Sequence, residues 1–246
     1  MNADDVIARR YRLLRRRGRG GAGEVWEAED RQTRTRVALK VFVEGVAPPA
    51  AFLARLRHPG LVRHLARIEV PGLSAVTMEL ADESLGQALR RGAHAAVAGL
   101  AVLRDVAATL AHLHALAPAI VHGDLKPDNV LLFGGAARLG DIGAVARMTP
   151  VYAAPERWER PGAAVAPPAD VYAFGVMAHE LLAGARPFDG PLAALERLHR
   201  EAAPPALAAT VPAALAALVA RCLAKAAADR PSAAALPDQL TAIEAG

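Results

Sequence analysis

The hydrophobic pattern of this 246-residue chain changes its period about one third of the way along, and this change limits the possible folds. Short runs with the alternation of β-strands occur at residues 11–17, 24–29, 37–43, 61–68 and 73–79. Beyond residue 85, helical spacing occurs at residues 100–116, 170–183, 212–223 and 232–243, interrupted by a strand pair at residues 130–133 and 137–139. We therefore predict an α+β protein with a small β-rich lobe and a larger, mostly helical lobe.

The two patterns meet near residues 78–84. We predict a single domain over residues 1–246, with the small lobe at residues 11–80, a hinge at residues 81–84 and the large lobe at residues 85–243. Clefts between lobes are common ligand sites. A ligand that touches both lobes is therefore expected to meet the hinge.

Composition narrows the class of protein. Hydrophobic residues make up 53% of the chain, which is ample for a buried core. The formal net charge is +4, and much of the excess comes from arginines at residues 9–19. Tyr11 is the only aromatic residue among them that could stack on bases, so we expect no nucleic-acid partner. No apolar run approaches the roughly 20 residues of a membrane-spanning helix. The lone Cys222 fits a reducing compartment, and we expect a cytoplasmic protein.

Lysine is rare in this chain, and its positions are informative. Of 29 Lys plus Arg residues, the only lysines are Lys40, Lys126 and Lys225. Lys126 lies in the run HGDLKPDN at residues 122–129, together with Asn129, one of only two asparagines. A site that requires a compact point charge does not accept the planar fork of arginine. The scarcity therefore marks Lys40 and Lys126 as candidate phosphate-binding residues.

The run GRGGAGEV at residues 18–25 matches the pattern G-x-G-x-x-G-x-V and lies between two predicted strands. Glycines let backbone N–H groups approach phosphate oxygens, and this context favours a flap over a nucleotide rather than a dinucleotide-binding turn that opens a helix. Alone, the match is weak. Lys40, in VALK of the next strand, is placed to neutralise phosphates beneath the flap. The alternative is a surface lysine at a strand edge, which the scarcity of lysine argues against.

Polar side chains downstream could form a reaction site. Asp124 and Asn129 have the spacing of a catalytic loop, and Asp141 follows a strand–turn–strand stretch in LGDIG. A carboxylate can act as the base for a substrate hydroxyl, and carboxylate and amide oxygens suit Mg²⁺. These residues together predict phosphoryl transfer.

With these motifs in this order, the chain resembles the bacterial type of eukaryotic-like serine/threonine protein kinase from residue 11 to about residue 240. The resemblance implies the two-lobed kinase fold, Mg-ATP as phosphate donor and a protein serine or threonine hydroxyl as acceptor. Asp124 would accept or orient that hydroxyl, and Lys126 would steady the transferred phosphoryl group. The metal ligands would be Asn129 and Asp141.

The resemblance also implies which residues bind the nucleotide. The loop over the phosphates would consist of Gly18, Gly20, Gly23 and Val25. The adenine would lie against Ala38, the gatekeeper Met78 and the hinge backbone of Glu79 and Ala81. Lys40 would bind the phosphates from below.

The largest departure from the family pattern concerns the regulatory helix after Lys40. The glutamate that pairs with this lysine in the family would fall at Pro49, and prolines there restrict the helix to residues 50–56. Glu44 is the only carboxylate between Lys40 and Leu61. We predict a shortened helix, and our hypothesis is that Glu44 or Asp141 orients Lys40. Unchanged ATP affinity and turnover in Glu44→Gln would rule out that role for Glu44.

The segment between Asp141 and Glu156 is short, with Thr149 as its sole Ser or Thr. Gly123 stands where the family pattern has an arginine that receives a phosphate on this segment. We therefore predict that activation does not require phosphorylation there, and a large activity loss after complete phosphatase treatment would contradict this. In the family, Glu156 of the A-P-E segment would pair with Arg230, and Asp170 would brace the catalytic loop.

Two other functions remain open. One is a pseudokinase that keeps the fold and signals by docking, which the missing helix glutamate favours. The other is a small-molecule phosphotransferase of the aminoglycoside-modifying type, which also uses His-Gly-Asp but lacks the A-P-E arrangement. The active enzyme is the first choice, with autophosphorylation as one possible reaction. The sequence specifies neither the protein substrate nor the oligomeric state.

Overall fold

The computed structural model of the chain describes residues 1–21, 23–43, 52, 56–92, 99–142 and 148–245. The chain divides into two compact units, Met1–Asp82 and Glu83–Gly246. The first unit contains an antiparallel sheet, and the second is mostly helical. The predicted α+β class, with a β-rich part followed by a helical part, is confirmed.

The first unit is built on a six-stranded sheet in the order β1-β2-β3-β4-β6-β5. The strands are β1 (Val6–Ile7), β2 (Tyr11–Gly20), β3 (Gly23–Asp30), β4 (Thr35–Phe42), β5 (His64–Val70) and β6 (Leu73–Met78). All neighbouring strands pair antiparallel. Hairpins connect the consecutive strands from β1 to β4 and connect β5 to β6, because short connections between strands produce antiparallel neighbours. The chain after β4 passes to the far edge, so that β6 rather than β5 pairs with β4.

One face of this sheet forms the core of the first unit. Val37, Leu39 and Val41 alternate along β4 and pack in a buried cluster with side chains of β2 and β3 such as Leu13 and Trp26. Alternation sends the intervening residues Ala38 and Lys40 to the opposite face. The pattern of VALK thus places core residues on one face of the strand and Lys40, the candidate phosphate-binding residue, on the other face.

In the first unit, one predicted strand has a different start and one strand was not predicted. The strand expected at residues 61–68 begins at His64, because residues 58–61 form a turn in which Leu61 N–H donates to the carbonyl of His58 at 2.9 Å. β1 was not predicted, since two residues are too short to show a period. The predicted helix at residues 50–56 lies outside the described residues apart from Phe52 and Leu56, as do Pro49 and Glu44.

The second unit contains seven described α-helices and a small sheet of order β7-β8-β9. The strands are β7 (Glu83–Ser84), β8 (Val130–Phe133) and β9 (Ala136–Leu139). The helices are α1 (Leu85–Arg90), α2 (Gly99–Ala115), α3 (Pro155–Glu159), α4 (Pro167–Ala183), α5 (Leu192–Glu201), α6 (Ala213–Cys222) and α7 (Leu236–Ala245). Short 3₁₀ turns lie at Pro127–Asn129, Pro150–Tyr152, Ala227–Asp229 and Ala233–Ala235.

α4 is the central helix of the second unit. Every residue from Ala169 to His179 is buried, so the helix has no solvent-facing stripe. It packs against α2 and α6, and α2 also contacts α7 and β9. Gly175 permits the close approach to α6, because a Cβ there would lie 2.8 Å from Cys222 Cβ. None of the helices in the described part of the chain is long and apolar enough to cross a membrane.

The sequence predicted the long helices of this unit better than the short ones. The helix expected at residues 232–243 is a 3₁₀ turn followed by α7, since Pro237 has no N–H to continue a helix from residue 232. α1, α3 and α5 were missed. α1 nevertheless has a sequence signal, because Ser84 and Gln87 form a capping box with hydrogen bonds of 3.1 and 3.0 Å.

Candidate functional site

The glycine-rich run forms the β2–β3 hairpin. Gly18 lies opposite Val25 and Gly20 opposite Gly23, with a register shift between Arg16 and Gly18. Gly23 has φ +142°, and a Cβ there would lie 1.8 Å from the Val41 carbonyl oxygen, so only glycine fits. A Cβ on Gly18 or Gly20 would meet nothing within 4 Å. The chain itself therefore requires glycine at position 23, whereas open space at the other two suits a phosphate that approaches the backbone.

Lys40 lies on β4 directly opposite Val25 of β3 and Val76 of β6. Its side chain is buried, and its Nζ lies 5.4 Å from the centre of the Phe42 ring. Ala38, two residues earlier, is also buried and lies opposite Met78. The sheet register thus places Val25, Ala38 and Lys40 side by side, as a nucleotide-binding surface requires.

The segment after β6 is held by backbone and side-chain hydrogen bonds within the first unit. Glu79 N–H donates to the Arg63 carbonyl at 3.1 Å, and the Glu79 carboxylate accepts from Arg63 N–H at 2.9 Å. Arg17 Nη2 donates to the carbonyls of Ala81 and Asp82, at 3.4 and 2.8 Å. Arg17, the residue before Gly18, was not singled out from the sequence. It joins the start of the glycine-rich hairpin to the predicted hinge.

In the second unit, Asp124 is the centre of a closed hydrogen-bond network with Lys126 and Thr149. Lys126 Nζ lies 2.6 Å from Asp124 Oδ2 and 2.7 Å from Thr149 Oγ1. The Thr149 hydroxyl and N–H both donate to Asp124 Oδ1, at 2.6 and 3.2 Å. Asp124 is buried, and these charge-assisted bonds fix its rotamer. The structure thus joins the predicted catalytic carboxylate, the predicted lysine and the only threonine of the segment.

Asn129 connects the catalytic loop to the segment that contains Asp141. Its side-chain Nδ2 donates to the Asp124 carbonyl at 2.7 Å, and its own carbonyl accepts from Gly140 N–H at 2.9 Å. Asp141, the next residue, is exposed and has φ +57°. A backbone hydrogen bond therefore ties Asn129 to Gly140, the residue directly before Asp141, the other predicted metal ligand.

Asp170 holds the residues that precede Asp124. In the first turn of α4, its buried carboxylate accepts from His122 N–H at 2.7 Å and from Gly123 N–H at 2.9 Å. His114 Nε2 lies 2.9 Å from the same carboxylate. Burial lowers the pKa of His122, although nearby carboxylates act in the opposite direction, so this imidazole is neutral. The structure thus gives Asp170 the bracing contacts predicted for it.

Glu156 and Arg230 form the predicted ion pair, with two N–O distances of 2.8 Å. The Arg230 side chain is fully buried and also donates to three backbone carbonyls, those of Ala224, Lys225 and Pro168. Arg157, which follows Glu156 in the chain, donates through Nη1 to the carbonyl of Gly123. Sequence reasoning missed Arg157, since an arginine carries no special signal in an arginine-rich chain.

Comparison of the sequence with known proteins identifies a family. The sequence profile of the protein kinase domain matches residues 11–240. The chain belongs to the protein kinase domain family. The resemblance stated from its motifs is thereby confirmed, and the family uses ATP as phosphate donor and a protein as acceptor.

Curated bacterial proteins share this similarity. Serine/threonine-protein kinase PkaA of Streptomyces coelicolor is 35% identical over 282 aligned positions, which include 98% of this chain and 51% of PkaA. PknA of Mycobacterium tuberculosis is 31% identical over 81% of this chain and 53% of its own length. Kinase pkn2 of Myxococcus xanthus is 34% identical over 76% of this chain and 26% of its own length. The chain thus spans about half or less of these relatives.

Proposed function

We propose that this chain is an active serine/threonine protein kinase that transfers the γ-phosphoryl group of ATP to protein Ser or Thr hydroxyls, its own included. The network of Asp124, Lys126 and Thr149 carries the proposal. It presents a fixed carboxylate next to an ammonium, and phosphoryl transfer needs both in one place.

Each residue of the network has a chemical task. The Asp124 carboxylate would accept a hydrogen bond from the substrate hydroxyl and take its proton as the new O–P bond forms and the bond to ADP breaks. Lys126 Nζ, 2.6 Å from Asp124, would stabilise negative charge on the transferred oxygens. Thr149 would keep both side chains in position before the substrate arrives.

The second unit also fits Mg²⁺ with two protein ligands. The Asn129 Nδ2 is engaged by the Asp124 carbonyl, which fixes the amide so that its oxygen is the atom suited to a cation. The carboxylate of Asp141 is the second ligand, and no cluster of three or more His, Cys, Asp or Glu able to hold a metal exists among the described residues. Such a sparse set suits Mg²⁺, which keeps several waters and binds substrate phosphates. The bound ion would neutralise charge on the phosphates.

In the first unit, Lys40 would bind the phosphates under the β2–β3 hairpin, and Ala38 and Met78 would contact the adenine. Support comes from the burial of Lys40 and from its register next to Val25. A lysine on a strand edge would instead be solvated, so the burial favours a ligand-binding role over a surface one.

The test is phosphate transfer from labelled Mg-ATP by the purified chain, alone and with generic protein substrates. We expect transfer in the wild type and a loss of at least about 100-fold in Asp124→Asn and in Lys40→Met. Arg138→Met, on β9, serves as a control for a mutated basic residue outside the site. ATP binding without transfer would establish the pseudokinase alternative and refute the proposal.

A further inference from the structure

Arg157 lies in α3, one residue after Glu156, and its guanidinium reaches the catalytic loop. Its Nη1 donates to the carbonyl of Gly123, the residue directly before Asp124. The side chain is partly buried and lines a cavity together with Asp124, Thr149 and Asp170. An arginine in this place is close to the candidate base without having been assigned a role.

The two backbone polar groups of Gly123 are each held by a charged side chain. Asp170 accepts from its N–H at 2.9 Å, and Arg157 donates to its carbonyl. Gly123 has φ +81°, a conformation that glycine adopts freely but does not enforce. Because the residue before Asp124 is intrinsically permissive, the direction of the chain into Asp124 depends on these two bonds.

The charges around Arg157 favour this placement. Burial lowers the pKa of the guanidinium, whereas Asp124, Asp170 and Glu156 act in the opposite direction. The group therefore stays charged within an acidic environment and is attracted toward the catalytic loop. A neutral apolar side chain of the same size would fill the space but would neither bond the carbonyl nor be attracted by the carboxylates.

We propose that Arg157 is a positioning residue that fixes Asp124 through the Gly123 carbonyl, an inference that rests on the proposed kinase function. Position 123 is the place where the family pattern has an arginine, and here α3 brings a guanidinium to that same residue. The bond is made by the unmodified chain. The orientation of Asp124 therefore requires no phosphate on the segment from Asp141 to Glu156.

The test compares Arg157→Met, Arg157→Lys and the control Arg160→Met, which removes an exposed arginine at the end of the same helix. Arg157→Met should lower kcat about 10- to 100-fold with the KM for ATP changed less than about twofold, because positioning is lost and nucleotide binding is not. Arg157→Lys, which keeps a charged donor, should recover at least about a third of kcat. Arg160→Met should match the wild type.

A second readout does not depend on activity. The N–H groups of His122 and Gly123 donate hydrogen bonds to Asp170. Amide hydrogen exchange at these two residues should become about 10-fold faster in Arg157→Met. It should stay near the wild-type rate in Arg157→Lys and Arg160→Met. If the wild type transfers no phosphate but exchange responds in this way, the kinase function fails and the positioning role stands. Unchanged kcat and unchanged exchange in Arg157→Met, or no rescue by lysine, would overturn the proposal.

Discussion

In the ion pair between Glu156 and Arg230, the arginine is buried more deeply and makes more hydrogen bonds than the glutamate. Arg230 is fully buried and makes five hydrogen bonds, two to Glu156 and three to backbone carbonyls. The Glu156 side chain is 35% exposed. Removing the arginine therefore leaves more unpartnered buried groups than removing the glutamate charge.

The expected magnitudes follow from these contacts. Glu156→Gln keeps the shape and one acceptor oxygen, and the guanidinium retains its three carbonyls, so we expect a loss of about 1.5–3 kcal/mol in the free energy of unfolding. Arg230→Met removes all five bonds from a fully buried position, so that three backbone carbonyls and the Glu156 carboxylate lose this partner, and we expect a loss of about 3–5 kcal/mol. At roughly 2–4 °C per kcal/mol for a chain of this length, the second variant should melt several degrees below the first.

The assay is thermal unfolding followed by far-UV circular dichroism, whose helical signal comes mainly from the second unit. Arg221→Met, which removes an exposed arginine that bonds Gln239, is the matched control and should change the midpoint by less than about 2 °C. The double variant should be little worse than Arg230→Met alone, because the two residues share their contact. A midpoint for Glu156→Gln at or below that of Arg230→Met would refute the reasoning.

Three further predictions concern the site and its surroundings. Thr149→Val removes the hydroxyl bonded to Asp124 and Lys126 and should lower kcat about 10- to 100-fold, whereas Thr149→Ser should stay within about threefold of wild type. Equal kcat values in the two variants would contradict the network. Gly23→Ala should lower the free energy of unfolding by more than about 2 kcal/mol because its Cβ would clash with the Val41 carbonyl, while Gly20→Ala, with open space in the folded chain, should change it little; similar losses in thermal melting would argue against the clash. Burial, and then Lys225, lowers the pKa of His199 to about 4 from 6.5. The unfolded chain therefore binds a proton between these pH values that the folded chain does not, so melting midpoints should fall as pH drops from 6.5 toward 4, and less steeply in His199→Gln.

The parts of the site that could be predicted are those whose residues are close in sequence or chemically rare. Asp124, Lys126 and Asn129 lie within six residues of one loop, and the structure joins them directly. Thr149 is the sole Ser or Thr between Asp141 and Glu156, but the predicted site did not include it, and its bonds to Asp124 and Lys126 appear only in the structure. The pairing of Glu156 with Arg230 came from the family resemblance, since nothing in a separation of 74 residues specifies a contact.

Contacts to the backbone were beyond sequence reasoning. Arg17 and Arg157 both bind carbonyl oxygens, and every residue of the chain offers such an acceptor. Their partners are fixed by the sheet register and by the position of α3, which are results of folding. The helix α5 is a different case, because its sequence LAALERLHRE does have an amphipathic helical pattern, with Leu195 and His199 on the buried face. That signal was present in the sequence and was missed.

The three lysines show what a rare residue type can reveal. Lys126 Nζ lies within 2.7 Å of both Asp124 and Thr149, and the Lys40 side chain is buried on β4, so both lysines lie in confined surroundings. Lys225 belongs to neither proposed site, yet its Nζ donates to the carbonyls of Leu198 and His199 at 3.3 and 2.7 Å, near the C-terminal end of α5. Its Nζ also lies 4.3 Å from the centre of the Phe188 ring. Because all three ammonium groups occupy confined positions, lysine scarcity in an arginine-rich chain marks the need for a compact cation, and chemistry follows only where a carboxylate or a phosphate-binding loop is beside it.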